Sequence, residues 1–169
     1  MKIKPAVEKA INEQINAELY SAYLYLSMAA YFEGQNLKGF AHWMQAQTKE
    51  EVSHAMKMYG FVFERGGKVT LKAIENPQSS WKSPLNAFES VYEHEQKVTD
   101  LINKLVEVTR SENDVASENF LMWFIDEQVE EEAHASEIVE KLKMIGDARQ
   151  GLFMLDRELG KREIGNGAQ

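Results

Sequence analysis

The sequence predicts an all-α protein: a four-helix bundle with one long crossover between helices two and three, followed by a short fifth helix. Three observations carry this. Four long segments repeat apolar residues at alternating spacings of three and four, the period of helices packed in a left-handed bundle. All three prolines, Pro5, Pro77 and Pro84, lie outside those repeats, so no helix interior is broken. A stretch of about 19 residues with Gly, Asn, Pro and Ser separates the second repeat from the third.

The first helix opens at Pro5, which suits a first turn because its missing N–H costs nothing there. Its stripe reads Ile11, Gln14, Glu18, Ser21, Tyr25, Met28 and Phe32, and Gly34-Gln35-Asn36 breaks it. The second stripe is Phe40, Met44, Gln47, Glu51, His54, Met58 and Phe61, closed by Gly66-Gly67. After Pro84 the third reads Phe88, Val91, Glu95, Val98, Ile102 and Leu105, up to Asn113-Asp114. The fourth is Leu121, Phe124, Gln128, Glu131, Ala135, Ile138, Leu142 and Ile145, stopped by Gly146. Tight connections after helices one and three make antiparallel hairpins. The middle connection, residues 66–84, spans about 60 Å when extended, more than the roughly 40 Å of a 28-residue helix, so it can cross the whole bundle. One long crossover is the topology of ferritin-like folds. The bundle is expected over residues 1–146, the fifth helix over 147–164 around GLFMLDREL, and a flexible tail over 165–169.

Bulk properties bound the function. The chain has 169 residues, enough for one domain with its own core, and is 44% apolar and 27% charged. A net charge of −8 without a basic arm argues against nucleic acid and suits a protein that attracts cations. The absence of cysteine excludes disulfides, thiolate nucleophiles, iron–sulfur clusters and thiolate-bound metals. The first residues contain no apolar signal core and no run is long enough to span a membrane, so a cytoplasmic protein is expected.

The informative anomaly lies on the apolar stripes. Glu18 and Glu95 each place a carboxylate where a helix should bury hydrocarbon, and Glu51-x-x-His54 and Glu131-x-x-His134 each place a carboxylate and an imidazole one turn apart. Buried charge needs compensation, and a metal ion supplies it. Two Glu-x-x-His helices facing two single-Glu helices is the di-iron carboxylate pattern. Carboxylates are hard anionic donors that bridge two metals and tolerate both Fe(II) and Fe(III). One Glu-x-x-His pair is common by chance. Glutamate on all four stripes is not, because four exposed glutamates would need four separate errors of period.

NEQINAELYSAYLY, KEEVSH, YEHEQ and DEQVEEEAH resemble the matching stretches of prokaryotic non-haem ferritin, and GLFMLDREL is similar to its short fifth helix. The resemblance covers nearly the whole chain. It implies a shell-forming iron-storage protein, a 24-subunit cage, with a ferroxidase centre inside each subunit that oxidises Fe(II) with dioxygen or peroxide. It assigns one iron to Glu18, Glu51 and His54 and the other to Glu51, Glu95, Gln128 and Glu131, with Glu51 as the bridge. A third, outer iron site would fall to Glu50, Glu127, Glu130 and Glu131, and Tyr25 would donate an electron during oxygen reduction. Acidic inner surfaces and pores would favour Fe(II) entry and mineral nucleation.

His134 departs from that pattern: Asn, Ser or an apolar residue is usual there, whereas bacterioferritin has a histidine ligand. Because a helix turns roughly 100° per residue, either residue 134 or 135 can face inward. Val52 stands where the haem-ligating methionine of bacterioferritin would sit, between the Glu and His of helix two, and no haem is expected. His42 reads as surface and His94 as a neighbour of Glu95. Glu132 reads as solvated, Trp123 as close to the centre, and Met28, Met44 and Met58 as core fillers. The alternatives are a haem-containing storage protein and a non-catalytic bundle whose polar core specifies register. Rubrerythrin would bring cysteines, and a mini-ferritin would place its site between subunits.

Overall fold

A computed structural model describes residues 1–163, so the tail expected at 165–169 lies outside the described residues. The helices are α1 (Pro5–Gly34), α2 (Lys38–Glu64), α3 (Pro84–Ser111), α4 (Val115–Ile145) and α5 (Arg149–Leu159), with no strand among the described residues. α1 packs on α2 and α3 on α4 as antiparallel hairpins, and α5 folds back mainly onto α2.

Local chemistry sets the ends. Pro5 and Pro84 occupy first turns. Ser83 caps α3 by accepting from the Asn86 amide at 3.1 Å, and Asp114 caps α4 by accepting from the Ser117 amide at 3.2 Å. α1, α2 and α3 all end in the same paired-bond motif, closed by a residue in the left-handed region: Asn36 (φ 58°), Gly66 (φ 65°) and Asn113 (φ 53°). At the first, Leu37 N–H donates to Phe32 at 3.0 Å and Asn36 N–H to Glu33 at 3.1 Å. Gly34, expected as part of the break, is the last helical residue, because Asn36 supplies the positive φ.

The crossover, residues 65–83, spans the bundle as predicted and does so along α1. Asn12 accepts from the Thr70 amide at 2.7 Å and donates to the Lys68 carbonyl at 3.0 Å. Asn16 donates to Ala73 at 3.3 Å and Ser27 to Gln78 at 2.7 Å. These side chains stand in for a strand partner and satisfy backbone groups that an extended segment would otherwise leave to water. At the far end Trp81 is buried against Tyr31, ring centroids 5.3 Å apart.

α5 closes the end of α2. No α2 side chain caps its first turn, and Asp156 does so instead, accepting from Gly39 N–H at 2.8 Å and Phe40 N–H at 3.1 Å. The approach is so close that a Cβ on Gly39 would sit 1.6 Å from the Asp156 carbonyl oxygen. Every residue of the predicted stripes is buried except Phe61 and Ile145, which are half-buried, and Val62 takes the inward place beside Phe61. Met28, Met44 and Met58 are fully buried fillers, as expected.

The core is not continuous. One apolar cluster centres on Met28, Phe32, Phe40, Met44 and Phe88, and a second on Val7, Ile11, Met58, Ile102 and Leu121. A layer of buried polar side chains lies between them.

Candidate metal centre

That layer contains Glu18 from α1, Glu51 and His54 from α2, Glu95 from α3, and Gln128 and Glu131 from α4, none more than 6% exposed. One ligand atom each from Glu18, Glu51 and His54 lies within 4.8 Å of the other two. His54 Nδ1 stands 3.4 Å from Glu51 Oε2, and its ring meets Trp123 edge-on at 5.4 Å, which places Trp123 beside the centre as expected.

The remaining ligand candidates are linked to one another and to the layer by hydrogen bonds. Gln128 Nε2 donates to Glu95 Oε2 at 3.2 Å and approaches Thr99 Oγ1 at 3.3 Å. Tyr25, fully buried, donates its hydroxyl to Glu95 Oε1. Gln47 Nε2 donates to Glu131 Oε2 at 2.9 Å, and Gln14 Nε2 to Glu18 Oε1 at 2.8 Å. Among the described residues, Glu18 Oε2 and Gln47 Oε1 are buried with no partner. An orphaned buried acceptor loses its hydration without replacement, and a cation restores the balance.

The electrostatics agree. Burial pushes the Glu51 carboxyl well above its ordinary value of 4.5, and the charges of Glu95, Glu18 and Glu131 push it further. Burial raises Glu95 to about 7 against the hydrogen bonds from Tyr25 and Gln128, which pull it down. Burial, then the charge of Glu95, raises Glu131 to about 8. Without a cation the layer can relieve its repulsion only by holding protons. The same four carboxylates, an imidazole and an amide oxygen are donors suited to hard first-row metal ions.

The outer acids form a looser group. Glu127 Oε2 lies 3.8 Å from His54 Nε2, Glu50 is half-buried and ion-paired with Arg162, and Glu130 is exposed. Burial raises the Glu127 carboxyl, opposed by His54 and reinforced by Glu130 and Glu50, so these acids sense one another.

The choice left open between residues 134 and 135 falls to Ala135, which takes the inward position on its stripe, while His134 is exposed and lines an open cleft with Trp43, Lys141 and Arg162. The register of α4 therefore leaves the second Glu-x-x-His motif half used. Other expectations need correction. His42 is half-buried, with Nε2 2.8 Å from the Arg162 carbonyl, rather than a surface residue. Glu132 is also half-buried and accepts from Thr99 Oγ1 at 2.5 Å. His94 turns from Glu95 toward Ser21, whose hydroxyl lies 2.8 Å from His94 Nε2. Sequence reasoning assigned no role to Gln14, Gln47, Thr99 or Arg162. Gln14 and Gln47 each stand four residues before a ligand candidate on its stripe, a legible signal, whereas Thr99 and Arg162 had none.

Fold and site together define a four-helix bundle with a buried, carboxylate-rich candidate metal site. Residues 8–145 match the family model of the ferritin-like domain. The chain is 46% identical to the bacterial non-heme ferritin of Bacteroides fragilis over 160 residues, 95% of this chain and 99% of that one. It is 42% identical to that of Campylobacter jejuni over 151 residues, 89% and 90% of the two chains. Among solved structures it resembles the open pore ferritin of the hyperthermophilic archaeon Archaeoglobus fulgidus with a TM-score of 0.95 and 57% identity, covering 96% of this chain and all of that one. The chain belongs to the ferritin family, and its function is iron storage.

Proposed function

We propose that each subunit is a ferroxidase, oxidising Fe(II) at a two-iron centre before storage as ferric oxide in a cage of 24 copies. The observation that carries this reading is the buried cluster of Glu18, Glu51 and His54, in the same polar layer as Glu95, Gln128 and Glu131. In this assignment Glu51 bridges one iron held by Glu18 and His54 and another held by Glu95, Gln128 and Glu131. Two irons beside one oxidant supply two electrons together. Two Fe(II) and one dioxygen with two protons give two Fe(III) and hydrogen peroxide; with peroxide as oxidant the product is water. Paired delivery avoids one-electron radical release.

The chain's residues do the remaining work. The carboxylates give up their burial-held protons as iron enters and neutralise the added charge of Fe(III). Gln14 and Gln47 orient Glu18 and Glu131, a role that ligand-supporting hydrogen bonds play at metal sites generally. Tyr25, which donates its hydroxyl to Glu95, supplies a further electron in this reading. Glu50, Glu127 and Glu130, with Glu131, form a third, outer iron site on the route away from the centre. In this reading no haem takes part: Val52 on α2 offers no ligating group where the haem-binding methionine of bacterioferritin would sit. No described helix is long and apolar enough to cross a membrane.

Aerobic Fe(II) oxidation followed optically tests the centre. Glu51→Ala, which removes the bridge, should slow the fast phase by about a hundredfold or more. Equal rates in the two proteins would sink the ferroxidase assignment. Size exclusion with light scattering tests the cage, and a stable monomer at physiological salt would contradict it.

A further inference from the structure

Beyond α5 the chain is strapped back along α2. Asp156 holds the first turn of α2, and the Arg162 carbonyl lies 2.8 Å from His42 Nε2. The Arg162 guanidinium stacks over the Trp43 ring, 4.6 Å from its centroid, and one of its nitrogens, Nη2, is ion-paired with Glu50 Oε2. The other, Nη1, is buried with no partner among the described residues. Stacking and a single ion pair therefore hold the group, without a full set of hydrogen bonds. Its charge also acts on Glu131.

We propose that Arg162 is a built-in counter-ion for the outer metal site: it occupies Glu50 in the metal-free protein and must be displaced when a divalent cation binds there. The inference rests on the third-site reading given above for Glu50, Glu127, Glu130 and Glu131. A guanidinium already on one ligand competes with a cation for that carboxylate and repels it at short range. The outer site is thereby kept weaker than the two inner ones, so metal passes through it and does not lodge there. Trp43 supplies a face on which the displaced guanidinium can remain stacked, which limits what its release costs.

Zn(II), redox-inert and tolerant of oxygen and nitrogen donors, is a suitable probe. Calorimetric titration of the metal-free, assembled protein should show two tight sites per subunit and a weaker third. Arg162→Gln should tighten the third by about two- to fivefold, the scale of one lost ion pair, and move the inner site that includes Glu131 by less. Arg162→Lys should restore the weak third site, which separates charge from packing of the strap. In a Glu50→Gln background, Arg162→Gln should change third-site affinity by clearly less than it does with Glu50 present. A third-site affinity unmoved or weakened by Arg162→Gln overturns the inference, as does the absence of a third site in both proteins while the two tight sites fill. Loss of all zinc binding in wild type would instead overturn the metal-centre reading, and this inference with it.

Discussion

Gln14 Nε2 donates to Glu18 Oε1 at 2.8 Å, and that bond decides which carboxylate oxygen is left for a cation: Oε2, buried and without a partner among the described residues. The two residues are four apart on one face of α1, so the helix itself holds the geometry. Gln14→Leu conserves volume and frees Glu18 to rotate. Metal affinity at the site built on Glu18 should fall roughly ten- to a hundredfold, with folding intact by circular dichroism. An unchanged Zn(II) isotherm would show that Gln14 has no orienting role.

The centre ties stability to pH in an unusual direction. Glu95, at about 7, and Glu131, at about 8, hold protons in the folded, metal-free protein that an unfolded carboxyl with its ordinary value of 4.5 has released. A raised pKa contributes stability below the unfolded value and loses it as pH climbs through the folded value. The chelated protein should therefore lose stability from these groups between about pH 5 and pH 8.5, measured as the denaturant midpoint. Saturating Zn(II) should flatten the loss, because metal replaces the protons. A midpoint that rises over this range in chelator would contradict the assignment.

Metal loading near neutral pH should also release protons from the same carboxyls. Titrations in two buffers of different ionisation enthalpy read this directly: the apparent binding enthalpy should differ between them. Identical enthalpies would mean that the carboxylates are already ionised before metal arrives.

At the end of the bundle the sign reverses. Arg65 Nη2 donates to both oxygens of Asp114, at 2.9 and 3.1 Å, and Nη1 donates to Ser117 Oγ at 3.0 Å. Burial pushes the Asp114 carboxyl up, but the bonds from Arg65 and Ser117 win and hold it below 3.8. This contribution is present above the unfolded value and is lost as pH falls through the folded one. Asp114→Ala removes the cap of α4 and leaves the half-buried Arg65 guanidinium without its carboxylate, which should cost about 2–3 kcal/mol. Asp114→Asn keeps the cap and should cost less. Equal midpoints for Asp114→Ala and wild type in denaturant would show that the pair contributes nothing.

His134→Ala should leave both the two-metal stoichiometry and the Fe(II) oxidation rate at wild-type values, since its side chain faces an open cleft and Ala135 faces the core. A loss of one bound metal would restore His134 as a ligand and require α4 to rotate on loading.

The extent to which the sequence was legible follows the range of each interaction. Period along a helix is local, so the buried positions of Glu18, Glu51, His54, Glu95, Gln128 and Glu131 could be read from spacing alone, and the helix breaks at Gly66 and Asn113 from where each period stops. The crossover was legible from its length, since a connection that long between antiparallel hairpins has one place to go. What spacing cannot fix is the rotation of a helix about its axis to within one residue, because adjacent positions differ by only about 100°. That rotation put Ala135 inside and His134 outside, and turned His94 toward Ser21. Nor can spacing bring together residues far apart in the chain. Arg162 on Glu50, Asp156 on the first turn of α2, and Gln128 on Glu95 arise only when the helices pack, because each is a contact between elements whose distance is set by the core between them. The sequence by itself determined a four-helix bundle with acids inside it; tertiary packing decided which acid oxygens are orphaned for a cation and which are already answered by the protein.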